Sequence, residues 1–187
     1  MIGFPRALQT SDKTGIARVR VDQGSTGFFD NREFRYFRYM EIPSGESRWT
    51  IVVVGKNGIS LKDQDLLVDS GAVDFFAYRD ASVAGLTPVA PAGPNSGVFP
   101  NNSLPDVPVW DMRTSITEAG NHTGTPSGVV AERARLRSAG ATAQRTSISA
   151  SIQGERGVAP GTYYLRFSAI DGAAVVEYFL TFEERTA

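Results

Sequence analysis

The feature that most limits the fold of this chain is the period-two alternation of its closing segment, residues 154–185. Tyr163, Leu165 and Phe167 alternate with more polar residues, and the same spacing resumes after residue 175. A period of two places the two sets of side chains on opposite sides of a β-strand. Asp171-Gly172 lies between the two runs and suits a tight turn, because both residues tolerate positive φ. The segment therefore predicts a β-hairpin with one core side and one outer side.

The rest of the chain predicts further short strands separated by turn residues, with no long amphipathic helix. These strands are expected at residues 31–42, 49–54, 59–62, 66–68, 73–78, 109–117, 129–137 and 146–152. Residues 129–137 could also form a short helix, but their alternation favours a strand. The pattern predicts an all-β chain with a single β-sandwich or jelly-roll-like domain at residues 31–187. An immunoglobulin-like sandwich stays open, since periodicity does not reveal strand order.

Residues 31–42 form the most aromatic segment of the chain. Alternation places Phe34 and Tyr36 on one side of this strand, and Arg35, Phe37 and Tyr39 on the other. A strand with aromatic residues on both sides lies between two layers or is covered on its outer side by a partner.

Two segments have no strand-like period. Residues 1–30 predict an extended N-terminal arm that is either disordered or ordered by a partner, apart from a possible short strand around residues 16–22. Residues 84–108 contain six of the ten prolines and predict a long Pro/Gly-rich loop without a central strand or helix. Such a loop either contacts a partner or is a plain surface excursion.

Composition excludes several classes of function. The formal net charge of -1 argues against general binding of nucleic acid or of a membrane surface. The chain has no cysteine, so it can form neither a disulfide nor a thiolate metal site. No run is apolar and long enough for a signal peptide or a membrane span, which predicts folding in a cytoplasm.

Candidates for chemistry are sparse, and we expect no enzyme, no cofactor and no metal. His122 is the only histidine, it lies in a polar loop, and a solvated side chain is the simplest interpretation. There is no nucleophile elbow and no phosphate-binding loop. Asp63, Asp65 and Asp69 have the oxygen ligands that calcium prefers but lack EF-hand spacing, so a solvated turn is favoured and calcium stays open.

Both ends of the chain resemble a family of small structural proteins of tailed bacteriophages. The resemblance rests on A-R-V-R-V-D-Q-G-S-T-G-F-F-D-N-R-E-F-R-Y-F at residues 17–37, on E-R-G-V-A-P-G-T-Y-Y-L-R-F at 155–167, and on the closing Y-F-L-T-F-E-E-R at 178–185. Residues 86–128 resemble the family only in their general character and share no motif with it. The resemblance implies a non-enzymatic component of the virion, assembled in the host cytoplasm, with no catalytic residues.

Within that family, we expect a head decoration (cement) protein that binds the major capsid protein or other virion proteins and stabilises the capsid lattice. A homo-oligomer is expected, with a trimer as the form that matches lattice three-folds. Aromatic and arginine residues are typical of protein interfaces. The candidate interface residues are Phe4, Arg18, Arg20, Phe28, Phe29, Arg35, Phe37, Tyr39 and Phe99.

Two alternatives come from other classes. A receptor- or glycan-binding module of a tail fibre or baseplate would use exposed rings such as Trp49, Trp110 and Tyr163 to stack on sugars. A cell-wall hydrolase would have to build its site on His122 or on paired carboxylates. Both are less well supported, because the aromatic residues alternate as core residues do and no catalytic motif surrounds His122.

Overall fold

The computed structural model describes residues 9–11, 17–19, 30–101, 111–124, 126–138, 147–149 and 156–186, with backbone only for the three short segments and for Asp80. Within these residues the regular structure is entirely β, which confirms the predicted class. The strands are β1 (Gln9–Ser11), β2 (Ala17–Val19), β3 (Glu33–Ile42), β4 (Ser47–Val54), β5 (Ile59–Ser82), β6 (Ser96–Pro100), β7 (Ser115–Ala119), β8 (Ser127–Arg137), β9 (Ser147–Ser149), β10 (Arg156–Val158) and β11 (Gly161–Glu184).

Two strands of 24 residues each, β5 and β11, organise the fold. They pair antiparallel along nearly their whole length, and their register breaks where residues 171–174 of β11 lie opposite Gly71 of β5. Gly71, Asp171 and Gly172 have φ values of 77°, 59° and 121°. A Cβ atom at Gly71 would collide with the carbonyl oxygen of Ala173, so the backbones approach too closely for a side chain there. Both strands therefore bend together at one corner.

This corner shows that the predicted hairpin in residues 154–185 is wrong. The first half of β11 pairs with β4 and β5, and the second half pairs with β3 and β5, so each half has both edges occupied by other strands. Asp171 and Gly172 do adopt positive φ, but they bend the strand instead of reversing it. The three strands predicted at residues 59–62, 66–68 and 73–78 are likewise one bent strand, β5.

The strands from β3 to β11 form one curled antiparallel sheet. The corner divides this sheet into two parts, which we call sheet 1 and sheet 2. Sheet 1 has the order β8, second half of β5, first half of β11, β4 and β7. In sheet 2, the first half of β5 pairs with β9 and β10 on one side, and the second half of β11, β3 and β6 follow on the other. This curled antiparallel arrangement is compatible with a sandwich-like domain. The jelly-roll order that we considered is not established by it.

The inward sides of the two sheets form one hydrophobic core. The rings of Phe75 and Phe167 in sheet 1 lie 5.2 Å apart, and that of Tyr178 in sheet 2 lies 5.1 Å from Phe167 and 6.1 Å from Phe75. Phe167 and Tyr178 belong to the same strand, so their contact shows that the two halves of β11 fold over one another. Each such ring pair adds roughly 0.5–1.5 kcal/mol beyond area burial.

A buried polar cluster joins the sheets where β3 and β4 diverge. These consecutive strands pair with different halves of β11, so few backbone contacts connect them. The Tyr36 hydroxyl donates to Glu118 at 2.8 Å, and Arg38 Nε lies 3.1 Å from the same carboxylate. Arg38 also donates to Thr50 Oγ1 at 3.0 Å and to the Trp49 carbonyl at 2.6 Å. Burial is the main cause that raises the pKa of Tyr36 far above its usual value, so the hydroxyl remains a donor.

Several other predictions differ from the structure. The Pro-rich segment 84–108 contains strand β6, which pairs with β3 in the described residues and ends at Pro100, an edge position that tolerates proline. In the predicted strand at 109–117, residues 111–114 are not strand and β7 begins at Ser115. In the predicted arm, β2 falls within the possible short strand at residues 16–22 and pairs with β1, and the remaining residues up to 29 lie outside the described part of the chain.

Candidate interaction surface

The outward side of sheet 2 carries the candidate residues that the structure describes. Arg35, Phe37 and Tyr39 alternate outward along β3, as predicted. Phe99 on β6 pairs with Arg35, is 40% exposed, and lies 5.9 Å from the ring of Phe37. The four candidates therefore form one continuous patch.

The five remaining candidates lie outside the part of the chain whose side chains are described. They are Phe4, Arg18, Arg20, Phe28 and Phe29, and of these only the backbone of Arg18 is described, in β2. Their predicted role in contacts stays a prediction.

Sequence reasoning missed several residues of this patch. Phe179 of β11 lies directly opposite Phe37, and Glu177 lies opposite Tyr39. One strand further, Asp65 and Leu67 of β5 face Phe179 and Glu177. The alternation of β11 could have assigned Phe179 to the outer side, since it has the same parity as Glu177. The neighbours across the sheet depend on long-range register and have no local signal.

We call this outward side of sheet 2 the acidic face. Its members are Arg35, Phe37, Tyr39, Glu41, Asp63, Asp65, Leu67, Asp69, Phe99, Val175, Glu177, Phe179 and Thr181.

Carboxylates dominate the electrostatics of the acidic face, although none of the predicted interface candidates is a carboxylate. The members named above include five carboxylates and one guanidinium, that of Arg35. Beyond Thr181 the same side continues with Glu33 and Glu183, and Lys62 lies 2.8 Å from Glu183. The pKa of Tyr39 is raised, mainly by desolvation and to a smaller extent by the carboxylates of Glu41, Asp69 and Glu177. Burial and the neighbouring Asp63 raise the pKa of Asp65. A partner for this face would therefore present cations together with apolar groups.

A groove of about 340 Å³ runs along the aromatic strand. Phe37, Tyr39 and Phe179 form one side, and Pro94-Asn95 of the Pro-rich segment forms the other. The backbone N–H of Tyr39 donates to the carbonyl of Asn95 at 2.7 Å, which fixes this segment beside β3. The two features that the sequence suggested for partner contact, the aromatic strand and the Pro-rich segment, thus meet at one place.

The outward side of sheet 1 is also aromatic, but the chain covers much of it. Trp49 is fully buried, and its ring lies 6.5 Å from Tyr78 and 6.3 Å from His122. The Arg166 guanidinium lies 4.8–5.8 Å from the ring centroids of Phe76, Tyr78 and Trp49, a cation–π arrangement. Val83 and Leu86 pack over this cluster. We call it the covered cluster.

These contacts bear on the glycan-binding alternative. Trp49 is 0% exposed and cannot stack on a sugar. Tyr163 is half-buried, lines an internal cavity and donates its hydroxyl to the Ala159 carbonyl. Trp110 lies outside the described residues.

His122 packs edge-on against Trp49, so the expectation of a solvated side chain is wrong. The side chain is half-buried, its Nε2 atom has no hydrogen-bond partner, and its backbone carbonyl accepts from Trp49 Nε1 at 3.3 Å. This arrangement stabilises the loop over Trp49.

In the described residues no group of side chains forms a metal site, and the cavity beside the core is small. No group of three or more His, Asp or Glu side chains there could hold a metal ion, and this includes Asp63, Asp65 and Asp69. The core cavity, lined by Leu165, Tyr178 and Leu180 among others, measures about 70 Å³. Pockets for small-molecule ligands are usually several-fold larger, about 300–1,000 Å³. In the same part of the chain, no helix is long and apolar enough to cross a bilayer.

Comparison of the chain with known protein families, with curated proteins and with solved structures found no match.

Proposed function

We propose that the chain is a non-enzymatic structural protein of a tailed-bacteriophage virion, and specifically a decoration protein of the head. The resemblance at residues 17–37 and 155–185 supports this role. The observation that carries the proposal is the acidic face. Its aromatic rings point outward, and the hydrophobic core is formed by the residues on the other side of the same strands.

The rings of the acidic face are not part of the hydrophobic core. The inward side of β3 and β11 supplies Tyr36, Tyr178 and Phe182, which are buried in the main core. Phe37, Phe99 and Phe179 lie on the opposite side and remain partly exposed. Clustered outward rings are typical of interaction sites, where they supply contact area without ordering long flexible side chains.

The mechanism is mechanical. A rigid β unit docks on a shell and contacts its neighbours through the acidic face and the groove beside Pro94-Asn95. On a symmetric lattice each weak contact repeats many times, so total affinity rises through multivalency. The proposed partners are the major capsid protein or other virion proteins, and other copies of this chain, with a trimer as one form. Residues of the N-terminal arm, such as Phe4 and Phe28, would add contacts with the shell.

The first test is the copy number of this chain in purified virions, measured by quantitative mass spectrometry against the major capsid protein. A ratio equal to the capsid subunit, or a simple fraction of it, supports a lattice decoration protein. A handful of copies places the chain in the neck, tail or fibre and overturns the head assignment. Absence from the particle overturns the virion role.

A second test uses binding of the purified chain to tail-free heads. Phe37→Ser with Phe179→Ser should reduce the amount that cosediments, because both rings line the groove. Val53→Ser is the control, since Val53 is an exposed apolar residue, at 42%, on the outward side of sheet 1. Equal binding by both variants would show that the acidic face does not dock.

A further inference from the structure

The outward sides of the two sheets differ in charge. On the acidic face, Glu41 and Glu177 flank Tyr39, and Asp63 and Asp65 lie two strands away. The central cation of this face is Arg35, and at its end Lys62 and Arg32 lie 2.8 and 3.1 Å from Glu183. These carboxylates surround the rings of Phe37 and Phe179, so the face combines negative charge with an apolar centre.

A row of arginines lies along β8, the strand at one edge of sheet 1. Arg133, Arg135 and Arg137 occupy alternate positions of β8 and all point outward and are exposed. Among the described strands, β8 pairs only with β5, so it lies at the edge of the sheet. Its exposed apolar residues, Val129 and Val130, are 65% and 48% accessible. We call residues 129–137 the arginine ridge.

Internal carboxylates only partly neutralise the arginine ridge. Arg135 makes two hydrogen bonds to Asp74, at 2.6 and 2.7 Å, and Arg137 pairs with Asp171. Arg133 lies over the ring of Phe76, 5.1 Å from its centroid. The side chains of Arg135 and Arg137 remain 56% and 64% exposed in spite of these pairs. The ridge therefore still presents guanidinium groups to solvent, beside an apolar stretch.

We propose that the acidic face of one copy of this chain binds the arginine ridge of a second copy. The charges are complementary, and guanidinium groups stack well on aromatic rings such as Phe37 and Tyr39. Val129 and Val130 would meet the apolar centre of the acidic face. The inference rests on the proposed function only in requiring that this face bind a protein.

The geometry of this contact makes it heterologous. The two surfaces lie on different sheets, so a bound pair still has one free acidic face and one free arginine ridge. Such an interface closes into a ring or continues as an open chain, depending on the rotation between copies. A ring of few copies would suit a position on a symmetric shell.

The test is sedimentation of the purified full chain over a wide concentration range, at low and at high salt. The acidic-face variant is Glu41→Lys with Glu177→Lys, and the ridge variant is Arg133→Glu with Arg137→Glu. Lys56→Glu with Arg185→Glu is the control for the ridge variant, because it makes the same charge change at exposed positions outside both surfaces. Unfolding midpoints check that each variant folds, and Arg133→Gln with Arg137→Gln replaces the ridge variant if it does not.

Wild type and control should associate, and high salt should weaken this association. Each variant alone should associate roughly a hundredfold more weakly, since like charges would face each other. An equimolar mixture of the two variants should recover a one-to-one complex, because the intact ridge of one meets the intact acidic face of the other.

A wild type that stays monomeric throughout, or variants that associate normally, would overturn the proposal. Failure of the mixture to recover a complex would also overturn it, in favour of a symmetric contact or a basic segment of another protein as the occupant. A monomeric chain that is still abundant in virions would refute this inference and leave the proposed function intact. Self-association of a chain that is absent from virions would do the reverse.

Discussion

The outward sides of the two sheets both carry aromatic side chains, but the chain covers these side chains on sheet 1 and leaves them partly exposed on sheet 2. On sheet 1, Trp49, Phe76 and Tyr78 point outward, and residues 83–86 and His122 pack over them. On sheet 2, Phe37, Tyr39 and Phe179 point outward, and among the described residues they are bordered by Pro94-Asn95 and by Phe99 of β6. The covered cluster therefore acts as a second small core, and among the described residues the rings of the acidic face remain partly exposed.

This difference separates stability from binding. A ring that the chain itself covers contributes to the free energy of unfolding through its burial. A ring that is left half-exposed contributes less to folding and can contribute to association instead. The charges follow the same division, since Arg166 is enclosed by rings in the covered cluster while the carboxylates of the acidic face remain near solvent.

The largest expected effect compares one ring from each side. Trp49→Ala should reduce the free energy of unfolding by roughly 3–5 kcal/mol, because it leaves a cavity in the covered cluster. Phe37→Ala should cost about 1 kcal/mol or less, as is usual for surface positions. Urea denaturation of the two variants measures both values. Similar losses would show that the two sides do not differ in the way described.

A smaller effect compares two identical chemical changes. Tyr36→Phe should destabilise the protein by about 1–3 kcal/mol, because it removes a buried hydroxyl that donates to Glu118 and contacts Thr50. Tyr39→Phe removes a hydroxyl on the acidic face, where its bond to Glu41 is long, at 3.4 Å, and exposed. This second change should stay within about 0.5 kcal/mol of wild type. If thermal and urea unfolding rank the two variants in the opposite order, the buried cluster does not join the sheets.

The smallest effect is a difference in pH dependence between two aspartates. The hydrogen bonds from Arg135 hold the pKa of Asp74 below its usual 3.8, so its stabilisation is complete above that pH and is lost as the pH falls through the lowered value. Burial raises the pKa of Asp65 above 3.8, so its protonated form favours folding at low pH and this contribution is lost as the pH rises through the raised value.

Because the pKa shifts of Asp74 and Asp65 have opposite signs, variants of the two aspartates can be compared in one experiment. At neutral pH, Asp74→Asn should lower the unfolding midpoint, and Asp65→Asn should leave it unchanged or raise it slightly. Both shifts should be smaller than those of Trp49→Ala and Tyr36→Phe. Unfolding midpoints measured from pH 7 down to acid provide the comparison, and a shift of the same sign in both variants would contradict it.

Local alternation was enough to predict the class of fold and the side on which each residue of β3 lies. Arg35, Phe37 and Tyr39 were assigned outward because a strand has a period of two. The same pattern could not distinguish a hairpin at Asp171-Gly172 from a strand that bends, because both give alternation on each side of the break. Only the pairing of β11 with β3, β4 and β5 separates the two, and that pairing is long-range.

The charge of the candidate surface was not predictable for the same reason. Near Phe37 the local sequence offered Arg35 as a charged interface candidate and no carboxylate. The carboxylates Asp63, Asp65 and Glu177 come to this side through the register of β5 and β11. Whether a ring is covered also depends on distant segments, as Trp49 and the loop at His122 show.

The most direct test of the central claim is hydroxyl-radical footprinting of the native chain, dilute in solution and within purified virions. The acidic face is a docking surface only if Phe37, Tyr39 and Phe179 lose reactivity on assembly. Tyr163, which is half-buried on the inward side, serves as the internal reference and should react equally in both states. Protection of the three rings with an unchanged Tyr163 is the predicted result. Equal reactivity of all four rings in both states would contradict the claim.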